Sequence, residues 1–111
     1  MKTIKTLFRL SLVVALSLSA FAHADDDVKA LWKSKCKNCH GDSGKADTKE
    51  GKKLEIEDMT IEKWQTKWTD DKIKDMINNG SKDKPKMKAF KDKLKPDQIE
   101  SLVKYIRTLK A

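Results

Sequence analysis

Cys36 and Cys39 stand three residues apart, and His40 follows the second directly. Each of two thiols at this spacing can add to one vinyl group of a single porphyrin. The adjacent imidazole is then carried under the ring, in reach of the iron. Cys-x-x-Cys-His is accordingly the attachment signature of a c-type haem, and the chemistry it points to is one-electron transfer.

Three other chemistries compete for the same residues. A Cys-x-x-Cys pair can be a thiol–disulfide couple, but that reading wants a βαβ pattern, and none is visible after residue 25. A structural zinc ion wants four ligands, whereas the chain holds two cysteines and two histidines, one of them His23 in the leader. A chance match with a structural disulfide is the blandest alternative. Haem attachment is favoured because the motif coincides with an export signal and a suitable chain length.

The export signal occupies residues 1–24. Lys2, Lys5 and Arg9 form a basic start, Leu10 to Phe21 a short apolar run, and Ala22-His23-Ala24 a small-residue cleavage site ahead of Asp25-Asp26-Asp27. The run is too short for a comfortable membrane span, so no stable membrane insertion is expected after cleavage. One domain, residues 25–111, remains, and the periplasm is its expected location. Without the three basic residues of the leader, the net charge falls from +8 to +5. Loss of His23 leaves His40 as the only histidine, which excludes bis-histidine ligation within one chain. Much of the 38% apolar content also lies in the leader. The remaining core is thin for its length, so a buried porphyrin is expected to complete it, and the haem-free chain is expected to fold poorly.

The elements that must position the motif read as helices, with no strand pattern. Val28, Leu31 and Trp32 form a stripe at i, i+3, i+4 that runs into Cys36, with Asp25–Asp27 at the helix start. Residues 41–59 lack a sustained period and read as a long loop around the haem edge. Thr60 is a weak cap for a short helix in which Trp64 and Trp68 share a face; both rings are expected in the core, with an indole N–H reaching a haem propionate as a second role. Thr69 caps a clearer helix that carries Asp70 and Asp71, then Ile73, Met76 and Ile77, and stops at Gly80. Pro96 opens the last helix, with Ile99, Leu102, Val103, Ile106 and Leu109 on one face. Of the methionines after the leader, Met76 reads as core and Met59 as a weak loop candidate. Met87 lies between Lys86 and Lys88 in a lysine-rich loop, where nothing but the haem requires an apolar side chain. It is the expected sixth ligand, since a thioether raises the potential of haem iron.

Together these pieces resemble the class I monohaem c-type cytochromes over residues 26–110. The matching segments are Cys36-Lys37-Asn38-Cys39-His40-Gly41, Ile77-Asn78-Asn79-Gly80 followed by Met87-Lys88-Ala89-Phe90, and Leu102-Val103-Lys104-Tyr105-Ile106-Arg107. The resemblance implies an all-α cytochrome c fold of about four helices wrapped around one covalent haem c. It implies thioether anchors at Cys36 and Cys39 and axial ligands at His40 and Met87. It also implies that the first and last helices meet, with Leu31 or Trp32 near Tyr105. One departure is Lys88, where the family commonly has proline. The motif's early position argues against the four-helix-bundle cytochromes, which carry it near the C-terminus.

The expected role is that of a monomeric one-electron carrier rather than an enzyme, since the iron carries the chemistry. Lys33, Lys35 and Lys37, with Lys82, Lys84, Lys86, Lys88 and Lys91, suggest redox partners with acidic patches. Nucleic acid is not an expected partner for an exported chain. The alternatives are a gas-binding or gas-sensing haem module with a weak sixth ligand, and a thiol–disulfide oxidoreductase using Cys36 and Cys39.

Overall fold

A computed structural model describes residues 19–83 and 87–111, with side chains from residue 25 onward. The basic start of the leader, most of its apolar run, and Lys84, Pro85 and Lys86 lie outside the described residues. All regular structure among the described residues is helical: α1 Ser19–Lys35, α2 Lys37–His40, α3 Lys49–Lys53, α4 Glu62–Lys67, α5 Asp70–Asn79 and α6 Pro96–Thr108. None of these helices is long and apolar enough to cross a membrane.

Three of the six helices carry the frame. The apolar stripes anticipated on α1, α5 and α6 become one core: Val28 and Trp32 from α1, Ile73 and Ile77 from α5, and Ile99, Leu102, Val103 and Ile106 from α6, joined by Met59 and Leu94. α6 is the shared wall, in contact with both α1 and α5. Its face recurs every three to four residues, so each turn sends one side chain inward. Of the two residues offered as neighbours of Tyr105, it is Trp32 that meets the phenol ring, at 5.4 Å between centroids.

Caps set two of these boundaries as expected. The Thr69 hydroxyl accepts from the Lys72 N–H at the start of α5. Pro96 opens α6, and the Gln98 side chain reaches back to accept from the Lys95 N–H at 2.8 Å.

Elsewhere tertiary contacts displaced the expected pattern. Among the described residues, α1 runs from Ser19 through the Ala22-His23-Ala24 site, so in the uncut chain Asp25–Asp27 lie inside a helix, not at its start. Thr60 does not cap α4. The Asp58 carboxylate takes both its N–H (2.8 Å) and its O–H (2.6 Å), an Asx-type local turn, and the helix starts two residues later after an uncapped Ile61. The expected loop over residues 41–59 contains the short helix α3, capped by Thr48.

Arg107 ties the short helix to the frame. Its guanidinium donates to the Gln65 carbonyl (2.7 Å), the Gln65 Oε1 (2.9 Å), the Trp68 carbonyl and Asp70 (2.7 Å). One planar fork on α6 thereby satisfies the end of α4 and the start of α5 together, which a lysine could not do with one ammonium. The Gln65 amide adds bonds to the carbonyls of Met59 (2.7 Å) and Ile106 (3.2 Å).

Candidate functional site

Cys36 ends the straight run of α1. Its N–H still reaches the Trp32 carbonyl, and its own carbonyl receives the N–H groups of Cys39 (3.3 Å) and His40 (3.0 Å). This single turn, α2, brings both thiols and the imidazole to one place. Cys36 and Cys39 are free and half-buried.

Two contacts hold the turn from behind. The buried Trp32 indole N–H donates to the Gly41 carbonyl at 2.9 Å, and its ring lies 6.0 Å from that of His40. On the other side, the Thr48 hydroxyl donates to the Cys39 carbonyl at 2.9 Å and accepts from the Gly51 N–H at 2.9 Å. α3 approaches so closely that a Cβ on Gly51 would stand 2.6 Å from the Cys39 carbonyl oxygen. Sequence reasoning missed this buttress. The available signal was Thr48, a cap residue, three positions ahead of the only glycine in a lysine-rich stretch.

Burial decides the protonation of both kinds of donor. It penalises the imidazolium and lowers the His40 pKa, so the ring is neutral, the form that binds a metal. Burial, and secondarily the proximity of Cys39, pushes the Cys36 thiol up to about 11. A redox-active Cys-x-x-Cys needs its thiolate stabilised, with the pKa moved down. The shift here is opposite in sign, which weighs against thiol–disulfide exchange. The His40 Nδ1 is buried without a hydrogen-bond partner among the described residues. Such a group is rare in a completed site.

The three methionines separate by burial. Met59 is 4% exposed and belongs to the core, its N–H bonded to the Gly44 carbonyl. It lies in the loop between α3 and α4, as the sequence implied, but with its side chain enclosed. Met76 is half-buried and outside the core cluster, contrary to expectation, while Ile73 and Ile77 turn inward. Met87 is half-buried against the core, at the point where the chain returns to the end of α5. There the Phe90 N–H donates to the Ile77 carbonyl and the Lys91 N–H to the Asn78 carbonyl.

Trp64 and Trp68 are not fully enclosed as expected. They stack at 5.9 Å and, with Leu31, Cys36, Met87, Phe90, Tyr105 and Leu109, form a set of partly covered apolar residues lying on the core. A six-residue helix held at its end by Arg107 gives the indoles one apolar wall and leaves the other side open. The Trp68 indole N–H donates to Glu57 at 3.3 Å.

This fold and this donor set define a class, the c-type cytochromes. The family model described as "Cytochrome C oxidase, cbb3-type, subunit III" matches residues 23–106, and the chain belongs to that family of cytochrome c domains. Among solved structures it is similar to the KustC0563 c-type cytochrome: 34% identity, 75% of this chain and 96% of that one covered, TM-score 0.68. A tyrosine-to-phenylalanine mutant of the same cytochrome matches at 34% identity over 76% of this chain and 99% of that one, TM-score 0.67. No curated protein matches the chain. The small monohaem class I resemblance and the all-α cytochrome c fold are thereby established, and haem c, covalently bound, is the cofactor of the family. The residues fit that group: two free thiols one turn apart, an imidazole with a nitrogen unpartnered among the described residues, and apolar side chains left partly uncovered on the same core.

Proposed function

We propose that the chain is an exported one-electron carrier in which Cys36 and Cys39 anchor haem c through thioethers and His40 and Met87 are the axial ligands. The observation that carries this reading is the common placement of the donors: Cys36 and Met87, far apart in the chain, are half-buried against the same core that Trp32 shares with the His40 turn. The haem supplies the one-electron iron couple. The protein's part is to hold a neutral His40, to bring a thioether to the remaining side, and to cover the ring with apolar side chains that raise the potential. An occupied sixth position leaves no room for substrate, which is why the role is that of a carrier and not an enzyme.

The partner we propose is a redox protein with an acidic patch. Residues 82–95 hold seven lysines and two aspartates, so the whole +5 of the chain after the leader is concentrated around Met87. Lys82, Lys88 and Lys91 are exposed there, as are Lys33, Lys35 and Lys37 near the thiols. Such a surface steers a monomer into fast, weak encounters. Electron-transfer rates to an acidic partner should fall by about tenfold between low and physiological salt; salt-independent rates would remove the steering argument. The leader supports a periplasmic location, and the intact mass of the exported protein reports cleavage after Ala24.

The test of ligation is the visible spectrum of haem-loaded protein, oxidised and reduced, beside Met87→Ala. The wild type should show a weak far-red band in the oxidised state and resist carbon monoxide when reduced; Met87→Ala should lose the band and bind carbon monoxide readily. A wild type that is already high-spin and binds carbon monoxide would turn the reading to gas binding.

A further inference from the structure

We propose that Ser81 is the residue that holds Met87 in position, a role that rests on Met87 being the sixth ligand. α5 ends at Asn79, and Gly80 and Ser81 follow. The Met87 N–H donates to the Ser81 hydroxyl at 2.6 Å, and the Ser81 N–H donates to the Met87 carbonyl at 3.1 Å. These two bonds, made by both backbone polar groups of Met87, form a neck between Ser81 and Met87, which are six positions apart in the chain.

Three further facts assign this neck to the ligand residue in particular. Behind it, Phe90 and Lys91 are bonded to the Ile77 and Asn78 carbonyls, so the returning segment is tied to the end of α5 just beyond Met87. The five residues between Ser81 and Met87 include three lysines, whose like charges repel one another. Lys88 provides no ring restraint on the backbone after the ligand, as a proline would. Among the described residues, the side chain that bonds the Met87 backbone is the Ser81 hydroxyl. Its bond is made to backbone, not to the thioether, so Ser81 acts through Met87 and is a positioning residue.

A neutral hydrogen bond of this kind is a modest effect that appears mainly in a local opening equilibrium. Its readout is therefore the rate at which added imidazole captures the oxidised haem, which is limited by release of the native sixth ligand. In haem-loaded protein, Ser81→Ala should accelerate capture about fivefold, Ser81→Thr should restore it to within about twofold, and Met87→Ala should bind imidazole without the slow step. Capture by Ser81→Ala at the wild-type rate, with Met87→Ala fast, would overturn the role of Ser81 and leave the ligand intact. Equal acceleration in Ser81→Thr would overturn it too, since the hydroxyl would not be the cause. A slow step persisting in Met87→Ala would instead remove Met87 as the ligand. Amide exchange of the wild type needs no variant: the Met87 N–H should be protected, and exchange at the rate of an open loop would refute the proposal.

Discussion

Trp32→Ala should lower the unfolding free energy of the haem-loaded protein by about 3–5 kcal/mol, the usual range for removing a large aromatic from a core. Trp32 is 2% exposed and is the bulkiest of the fully enclosed side chains. It packs on Tyr105 at 5.4 Å and so joins α1 to α6, while its N–H secures the Gly41 carbonyl just beyond the Cys-x-x-Cys-His turn. Its removal therefore opens a cavity between the two longest helices and frees the turn that carries His40. A single small domain holds only a few kcal/mol in reserve, so most of the stability should go. Urea unfolding followed by far-UV circular dichroism measures it, and a loss below about 1 kcal/mol would contradict the packing described. Trp32→Phe separates the two contributions. It keeps a ring against Tyr105 but loses the bond to the Gly41 carbonyl, which retains the longer bond from the Gly44 N–H at 3.3 Å, and should cost about 0.5–1.5 kcal/mol, the net worth of one hydrogen bond.

With Met87 as the proposed sixth ligand, Gly80→Ala should strip the thioether from the iron while leaving the haem attached. Gly80 has φ 71° and ψ −176°, a region that only glycine enters without strain, at a cost of about 1–3 kcal/mol for other residues. A Cβ there would also stand 2.5 Å from the Met87 carbonyl oxygen, 2.9 Å from the Ala89 nitrogen and 3.0 Å from the Lys88 carbonyl carbon. All three are backbone atoms of the return strand, which has no rotamer by which to yield. The strand must move away from α5, and Met87 moves with it. The expected result is loss of the far-red band in the oxidised spectrum and rapid carbon monoxide binding in the reduced protein, with haem still covalently attached at its full mass. Retention of the band with wild-type intensity would show that the strand tolerates the displacement, and would take the close approach out of the account of Met87.

The parts of this protein legible in its sequence are those whose cause is local. Two thiols and an imidazole within five residues are brought together by one helical turn whatever the rest of the chain does, so the grouping of Cys36, Cys39 and His40 could be read directly. α5 and α6 announce themselves because the helical period of Ile73 and Ile77, and of Ile99 through Ile106, coincides with good boundary residues, Thr69, Gly80 and Pro96. The resemblance to the class I cytochromes rested on those same segments in that order, and the family match over residues 23–106 confirmed it.

What the tertiary structure alone decided depends on partners far away in the chain. Met59 lies in an aperiodic stretch, and only the packing of α6 and the residue 44 turn encloses it. Thr60 had the right type for a cap, but Asp58 captured its polar groups first. Trp64 and Trp68 have core spacing, yet the helix that bears them is covered on one side only. α3 exists to press Thr48 and Gly51 against the back of the Cys39 carbonyl, a contact with no periodicity to advertise it. The Ser81–Met87 neck likewise joins two residues across a loop whose sequence says only that it is basic. Spacing along the chain determined which chemistry is possible; close approach between distant backbones, which no sequence period records, decided how its residues are held.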